Sequence, residues 1–221
     1  MKIFNNISFS FLDTTIKKEI KNINNNKIFL FGLLLKLFLI IYASPIISSE
    51  LFIPFIRNNI NNFSLDPWSN FLERGGNINS FPYGISMLIS YLPFTYLGYL
   101  IDNNIFDLNF TEILFKFSSL IYDYILLIVL CLIIKNNSKT YLIFSYWLSP
   151  IIIYTLYIHG QIDIVPITLI ITSIYFLGKN KFKVAGIFIA LAICSKLSML
   201  ISFPFILLYV YRKKGLNEEL F

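Results

Sequence analysis

The sequence predicts an all-α polytopic integral membrane protein, a bundle of about six or seven transmembrane helices. Hydrophobic residues make up 57% of its 221 residues and charged residues only 14%, outside the usual range of soluble domains. The apolar residues gather in runs close to the roughly 20 residues that cross hydrocarbon as a helix. These runs lack the alternation of barrel strands, and unpaired backbone groups are too costly in lipid, so each span is predicted to be helical.

Six apolar runs follow a basic N-terminus. The last run is too long for one crossing and is interrupted by Ser195, Lys196 and Ser198, so it is predicted to form two short helices. We interpret residues 28–211 as one transmembrane module, followed by a short basic tail at 212–221. The runs lie at 28–48, 82–101, 110–134, 141–158, 161–178 and 184–211.

Residues 1–27 are interpreted as a cytoplasmic N-terminal segment. They are too many and too rich in Asn for a cleaved signal peptide, so the first span is predicted to persist as an anchor. The formal charge is +6, but the basic residues stand at helix ends, which indicates membrane orientation and not nucleic-acid binding. The abundance of Ile, Asn, Lys and Phe is typical of AT-rich coding sequences and favours a bacterial inner membrane.

Two orientations are compatible with the runs. If every run crosses, the basic residues of the later connections lie outside, against the rule that such residues stay in the cytoplasm. If one of the first three runs fails to cross, these basic residues lie in the cytoplasm and His159 lies at the outer face. We favour this second count, with the run broken by Pro93 or the first span shortened by Pro45 as the irregular one. The basic residues concerned are Lys135, Lys139, Lys179, Lys181, Lys183, Arg212, Lys213 and Lys214.

The longest polar connection covers residues 48–84 and is predicted to be an external loop. Within it, residues 49–60 carry apolar side chains at helical spacing and predict an interfacial helix. The stretches "LDPW" and "ERGGN" then mark turns. Ordered loops of this size are often functional, although a solvated loop charge is the simpler explanation for any single charged residue. These are Glu50, Arg57, Asp66, Glu73 and Arg74.

Charged residues inside the apolar runs are expensive in hydrocarbon and usually face a cavity or a partner. Asp123 is expected either to face a substrate or to make a helix-packing hydrogen bond to a Tyr or Ser. Lys36 is expected to extend its ammonium to the membrane surface. Lys196 stands where its helix breaks, which suits an anionic ligand such as phosphate. An ordinary hairpin turn at the membrane surface is the alternative for Lys196.

The stretch "YIHGQIDIVP" gathers the only histidine of the chain with an amide and a carboxylate between two apolar runs. We interpret it as the tip of a helical hairpin. Asp163 followed by Pro166 predicts a helix start with the carboxylate at the N-cap. A helix start does not explain the neighbouring His159 and Gln161, which are therefore candidate substrate contacts.

An ordered series of motifs resembles the multi-span GT-C glycosyltransferases that use polyprenyl-phosphate sugars, especially the bacterial and GPI-anchor-type mannosyltransferases. In that family an aromatic, a proline and a G-Q-x-D turn precede an A-G-x-x-x-x-L-A-x-x-x-K segment. The resemblance extends over about residues 28–211, and each motif is weak alone. The motifs are "FPYG" (81–84), "YDYILLIVLCLI" (122–133), "WLSPIIIYTLYIHGQIDIVP" (147–166) and "AGIFIALAICSKLSMLISFP" (185–204).

The resemblance implies transfer of a sugar from a polyprenyl-phosphate donor to a glycan or lipid acceptor at the extracytoplasmic face. The catalytic acid of the family lies in the first external loop, usually as Asp, which by position points to Glu50 and then to Asp66. This chain departs from the family in having Glu at the first position and no D-x-D in the loop.

An inverting transfer needs a base for the acceptor hydroxyl and cations, or a metal, for the departing phosphate. Lys196 is the predicted phosphate cation, with Arg57 or Arg74 as further choices. His159, Gln161, Asp163 and Asp123 are the other predicted substrate contacts. One histidine and scattered carboxylates specify no metal ligands, so a divalent metal stays open as a cofactor.

Two alternatives stand beside this hypothesis. A small transporter or translocase of lipid-linked sugars would use Asp123 and Lys196 along a substrate path, but the sequence has no internal repeat. A non-catalytic subunit of a glycan-assembly complex is the other. Enzymes of the family usually continue with several more spans, so the chain is expected to be a truncated, split or minimal form, with a second polypeptide as a candidate partner.

Overall fold

The computed structural model describes residues 14–102, 109–134 and 139–214. These residues are almost entirely helical, and none of them lies in a strand. The predicted all-α class is therefore confirmed. Residues 1–13 of the N-terminal segment, Lys135 and residues 215–221 of the tail lie outside the described residues.

Eleven α-helices and four tighter or wider helical turns make up the described part of the chain. The helices are α1 (Thr14–Asn24), α2 (Lys27–Tyr42), α3 (Ile53–Asn61), α4 (Pro67–Glu73), α5 (Ile85–Asp102), α6 (Phe110–Ile133), α7 (Lys139–Leu142), α8 (Pro150–Ile153), α9 (Ile164–Gly178), α10 (Phe182–Ser195) and α11 (Phe203–Lys214). The π-helical turns are Ser48–Phe52, Ile143–Trp147 and Tyr154–Ile158, and a 3₁₀ helix covers Leu197–Ser202.

Two helices, α5 and α6, are long and apolar enough to cross a membrane. Two further crossings result if each bent pair counts as one span: α1 with α2, which meet at 74°, and Lys139–Trp147 with Pro150–Ile158, which meet at 41°. Helices α9 and α10 are apolar but shorter, at 15 and 14 residues. The described residues thus contain two to four candidate spans, and a count of six or seven is not confirmed, because breaks such as those at Pro150 and Lys196 divide the apolar runs.

Helix α6 lies at the centre of the bundle and packs against α1, α2, α5 and α9. Its contact with α5 is close where Gly98 faces the start of α6. A Cβ at Gly98 would lie 2.4 Å from the carbonyl oxygen of Phe110, so only glycine allows this approach. The buried core continues through Phe115, Leu127 and Trp147.

The helix expected at 49–60 is present as the π-helical turn Ser48–Phe52 and α3. Its apolar side chains Phe55 and Ile56 are fully buried, and the Phe55 ring stacks on Phe81 with centroids 4.6 Å apart. This apolar face therefore packs on the protein.

Polar contacts distinguish the two ends of the bundle. At one end, the Lys139 ammonium lies 2.5 Å from a carboxylate oxygen of Glu19 in the basic helix α1. At the other end, the hydroxyl of Tyr99 donates to Asn61 over 2.6 Å. This second contact brings the end of α5 beside α3, within the same 48–84 connection that precedes α5.

Candidate functional site

The start of α5 sits against the end of α10. The backbone N–H of Gly84 donates to the carbonyl oxygen of Ser195 over 2.9 Å. A Cβ at Gly84 would lie 2.1 Å from the carbonyl oxygen of Cys194, so this approach requires glycine. The "FPYG" motif and the break at Lys196, far apart in sequence, are therefore neighbours.

An ion pair joins the predicted turn to the predicted cation. The Lys196 ammonium donates to both carboxylate oxygens of Asp163, over 2.8 and 2.7 Å, and both side chains are half-buried. Lys196 ends α10 with extended backbone, at φ −149° and ψ 118°. The sequence had singled out both residues without pairing them.

Tyr83 completes what we call the Tyr83–Asp163–Lys196 cluster. The Lys196 ammonium lies 5.5 Å from the centroid of the Tyr83 ring, within cation–π range. Burial raises the pKa of the Tyr83 hydroxyl above its usual value, and the charge of Asp163 and a hydrogen bond to it act in the same direction. The hydroxyl therefore stays protonated beside the carboxylate.

The predicted helix start at Asp163 is present, but the Asp163 side chain does not cap the helix. Asp163 does occupy the position before α9, and Pro166 lies in the first turn as expected, but its carboxylate makes no capping hydrogen bond. A charged ammonium is a stronger partner for a carboxylate than a backbone N–H, so the side chain turns to Lys196.

The turn at the hairpin tip packs against the beginning of the 48–84 connection. Gly160 has a φ of +84°, and a Cβ there would lie 2.7 Å from the Cβ of Pro45 and 3.1 Å from the hydroxyl of Ser48. Both the left-handed backbone and the close contact require glycine. The turn and the start of the predicted external loop therefore lie together at one end of the bundle.

His159 and Gln161 flank this glycine. The His159 side chain is half-buried, and its Nδ1 atom is buried without a hydrogen-bond partner among the described residues. Gln161 and Asp163 line a cavity of about 350 Å³ together with Tyr146. Gln161 therefore has access to a space large enough for a small ligand group.

The two carboxylates proposed as catalytic differ in their surroundings. Glu50 is exposed in the π-helical turn Ser48–Phe52 and has no hydrogen-bond or ion-pair partner among the described residues. Asp66 is the N-cap of α4, where it accepts from the backbone N–H of Ser69 over 3.2 Å and from its hydroxyl over 2.6 Å. These bonds lower the pKa of the Asp66 carboxyl. Glu50 is thus the carboxylate left available.

Arg57 and Arg74 have no recorded contact with the cluster. The Arg57 guanidinium lies 3.5 Å from Asp102 and 3.5 Å from Asn109, at the far end of α5. Arg74 is exposed just after α4. A contribution of either arginine to phosphate binding stays a prediction without support from these contacts.

An aromatic cavity of about 500 Å³ lies beside Tyr83. Its walls come from the 48–84 connection and from the end of α10, and the indole N–H of Trp68 fixes one wall by donating to the carbonyl oxygen of Phe81 over 3.2 Å. Sequence reasoning missed this cavity, although the aromatic spacing of the loop was visible. Lining residues include Phe55, Trp68, Phe71, Phe81, Ile193 and Leu197.

Asp123 lies in a separate, fully buried cluster. Its carboxylate accepts from the Lys36 ammonium over 2.7 Å and from the hydroxyls of Tyr146 and Tyr157 over 2.8 and 2.7 Å. The expected hydrogen bond to tyrosine is therefore present. With three internal donors the carboxylate is satisfied within the protein, and a substrate contact of Asp123 stays a prediction.

Lys36 does not extend to the membrane surface, contrary to the expectation. Its side chain is fully buried, and its ammonium lies 3.2 Å from the centroid of the Trp147 ring. The carboxylate of Asp123 and the face of the indole together stabilise the ammonium charge in place of water.

The described residues offer no protein-built metal site. Nowhere in the described ranges do three His, Cys, Asp or Glu side chains come together as metal ligands do. The chemistry below routes no step through a metal.

Comparisons with models of known protein families, with curated proteins and with solved structures find no match to this chain. The chemistry of the site follows from its own residues. They supply a half-buried ammonium and an exposed carboxylate at positions that the sequence had indicated, and an aromatic cavity that sequence reasoning had missed.

Proposed function

We propose that this chain is a membrane glycosyltransferase of the mannosyltransferase-like GT-C type. It transfers a sugar from a polyprenyl-phosphate donor to a glycan or lipid acceptor at the outer face of the bacterial inner membrane. The supporting observation is the Tyr83–Asp163–Lys196 cluster, because it joins three separate stretches on which the resemblance rests.

Lys196 is suited to hold the phosphate of the donor. An ammonium has three N–H donors, and Asp163 accepts from it with two oxygen atoms. The remaining donor and the partial exposure of the side chain allow contact with a phosphate oxygen. Asp163 and Tyr83 then act as positioning residues, because they fix the ammonium at the break after α10.

The aromatic cavity beside Tyr83 suits the part of the donor next to the phosphate. Its walls combine Phe and Trp rings with the aliphatic Ile193 and Leu197, and such a lining accepts an apolar chain or the face of a pyranose. His159 and Gln161, at the nearby turn, supply polar groups for sugar hydroxyls.

Glu50 is the base in this proposal. Its carboxylate takes the proton of the acceptor hydroxyl, whose oxygen then bonds to C1 of the sugar. The bond between C1 and the phosphate oxygen breaks as the new bond forms, and the phosphate leaves with the bonding electrons. Lys196 stabilises the negative charge on the departing phosphate. Attack opposite the leaving group inverts the anomeric configuration.

The contacts at the bundle ends support the orientation in which α5 does not cross. α5 follows the 48–84 connection, and its last turns contact α3 of that same connection. Lys139 meets the basic helix α1, as expected if the lysines of the later connections lie with the N-terminus in the cytoplasm. Crossings by α2, α6, residues 139–158, α9, α10 and residues 197–214, in which the 3₁₀ helix and α11 form one segment, then give about six spans.

Cysteine labelling tests this orientation. In a background with Cys131 and Cys194 replaced by Ala, a membrane-impermeant maleimide should label Asn77→Cys in intact cells. Lys17→Cys and Lys183→Cys should react only after permeabilisation. Labelling of Asn77→Cys and Lys183→Cys from the same side would contradict the proposed orientation.

The transfer activity itself is measured with purified protein in liposomes, using radiolabelled polyprenyl-phosphate mannose and a membrane acceptor fraction. Label should move from the donor to the acceptor only when protein is present. Movement of intact donor across the bilayer, with the sugar still attached to its lipid, would instead favour the translocase. The separate pairing of Asp123 with Lys36 and of Lys196 with Asp163 does not favour that alternative.

Replacing Lys196 by Gln should raise KM for the donor by about 10-fold, because a hydrogen bond to a charged group contributes about 1.5–3 kcal/mol. Lys183→Gln is a matched control, because that lysine is exposed on α10 at the opposite end of the helix. Steady-state kinetics with varied donor concentration measure the effect. Equal KM values for both variants would show that Lys196 does not bind the donor phosphate.

A further inference from the structure

An apolar groove lies away from the proposed active site, where the ends of α6 and α9 meet α11. It has a volume of about 570 Å³, within the range of small-molecule sites. Its lining is aliphatic and aromatic except for one lysine. The residues are Leu132, Ile133, Ile174, Tyr175, Leu177, Gly178, Lys179, Phe205, Ile206 and Tyr209.

Two tyrosine–lysine pairs flank this groove, one on α9 and one on α11. The Lys179 ammonium lies 5.7 Å from the centroid of the Tyr175 ring. The Lys213 ammonium donates to the hydroxyl of Tyr209 over 3.0 Å and lies 5.3 Å from the centroid of its ring. In each pair the lysine follows the tyrosine by four residues; Lys213 stands on the same face of α11 as Tyr209, and Lys179 is the residue that follows the end of α9.

The charge around the groove has one sign. No acidic residue lines it within the described part of the chain, and both lysines are exposed. An apolar groove between helices, with tyrosines and cations at its rim, complements a molecule that has an apolar chain and an anionic head. A peptide helix would complement the apolar walls but would leave the two cations without an anion.

We propose that this groove binds an anionic phospholipid. One acyl chain lies between Ile133, Ile174 and Phe205, and the phosphodiester accepts hydrogen bonds from Lys179 and Lys213. The lipid belongs to the leaflet beside Lys139 and α1. The proposal is independent of the glycosyltransferase function, because the groove shares no residue with the Tyr83–Asp163–Lys196 cluster.

Gly178 offers a way to close the groove without disturbing the bundle. A Cβ at this position would meet nothing within 4 Å, and its φ lies outside the left-handed region that only glycine favours. Gly178→Phe therefore places its ring in open space lined by the groove while both lysines remain.

Native mass spectrometry of the full chain in micelles with equal amounts of phosphatidylglycerol and phosphatidylcholine tests the proposal. The unaltered protein should retain phosphatidylglycerol in preference to phosphatidylcholine. Lys179→Gln with Lys213→Gln should lower this preference by about 25-fold, because each lysine near a lipid surface contributes about a factor of five. Gly178→Phe should lower retention of both lipids.

The matched control is Lys17→Gln with Lys21→Gln, which removes the same charge from exposed positions of α1. This control should keep the preference, and thermal unfolding should show that all variants are folded. Equal retention of the two lipids by the unaltered protein would overturn the proposal. An equal loss of preference in the control would also overturn it. The same holds if a polypeptide, and not lipid, is bound and Gly178→Phe displaces that polypeptide.

Discussion

Replacing Lys36 by Met is expected to destabilise the protein by about 3–5 kcal/mol, the usual cost of leaving a buried charge without its partner. Asp123 would keep two tyrosine donors but lose the ammonium that pairs with it, and both side chains of the pair are fully buried. The face of Trp147 would also lose the ammonium that lies over it. Reversible unfolding in mixed micelles, followed by tryptophan fluorescence, measures the loss.

The double variant Lys36→Met, Asp123→Asn is the matched control for this effect. Without the carboxylate charge no buried ion is left unpaired, and the amide oxygen of Asn can still accept from one of the two tyrosines, which donate to different oxygens of Asp123. We expect at least half of the lost stability to return. If the double variant is as unstable as Lys36→Met alone, the loss comes from packing around the lysine stem, and the ion pair is not what stabilises this part of the bundle.

Replacing Glu50 by Gln is expected to reduce sugar transfer by about 10²–10⁴-fold, the usual contribution of a general base. Because Glu50 is exposed and has no partner among the described residues, the change should leave stability and donor binding nearly unaltered. Rate measurements at saturating donor, together with thermal unfolding of the same preparation, separate the two effects.

Glu73→Gln is the matched control for Glu50, because Glu73 is an exposed carboxylate of the same connection, at the end of α4. Its transfer rate should stay within about twofold of the unaltered protein, because an exposed residue without a partner has small effects. Transfer that survives in Glu50→Gln and is lost in Asp66→Asn would assign the base to Asp66 instead.

Asp66 itself illustrates how far local sequence can go. Asp followed by Pro and then Ser at the third position predicts an N-cap with proline in the first turn, and α4 begins in this way. The cap bonds explain the residue without catalysis, and its loss should cost about 1 kcal/mol. The prediction of Asp66 as second choice for the base had overlooked this local pattern.

Contacts between distant segments were less accessible from the sequence. The helical class, the helix at 49–60 and the turn at Gly160 followed from composition, periodicity and glycine. The pairing of Asp163 with Lys196 did not follow from the sequence, because the local pattern at Asp163 predicted a helix cap. Only the packing of α10 against α9 brings the Lys196 ammonium within hydrogen-bond distance of Asp163.

Lys36 was misjudged for a related physical reason. A lysine two turns into a span can reach the membrane surface by extending its own side chain. This expectation can be drawn from the span alone, without knowing which other segments pack beside it. Its burial depends on Asp123, Trp147 and Tyr157 arriving from two other parts of the chain. The number of spans stays a prediction, because hydropathy does not reveal where breaks and π-helical turns divide an apolar run.

Photo-crosslinking with a polyprenyl-phosphate mannose that carries a diazirine beside the phosphate would test whether the Tyr83–Asp163–Lys196 cluster is the donor site. After irradiation in liposomes and peptide mapping, the label should lie on residues 81–84 and 193–197, and excess unlabelled donor should abolish it. Lys196→Gln should reduce it by about 10-fold, in line with the loss of a charged hydrogen bond. Labelling that avoids both segments, or that unlabelled donor does not compete away, would contradict the proposed site.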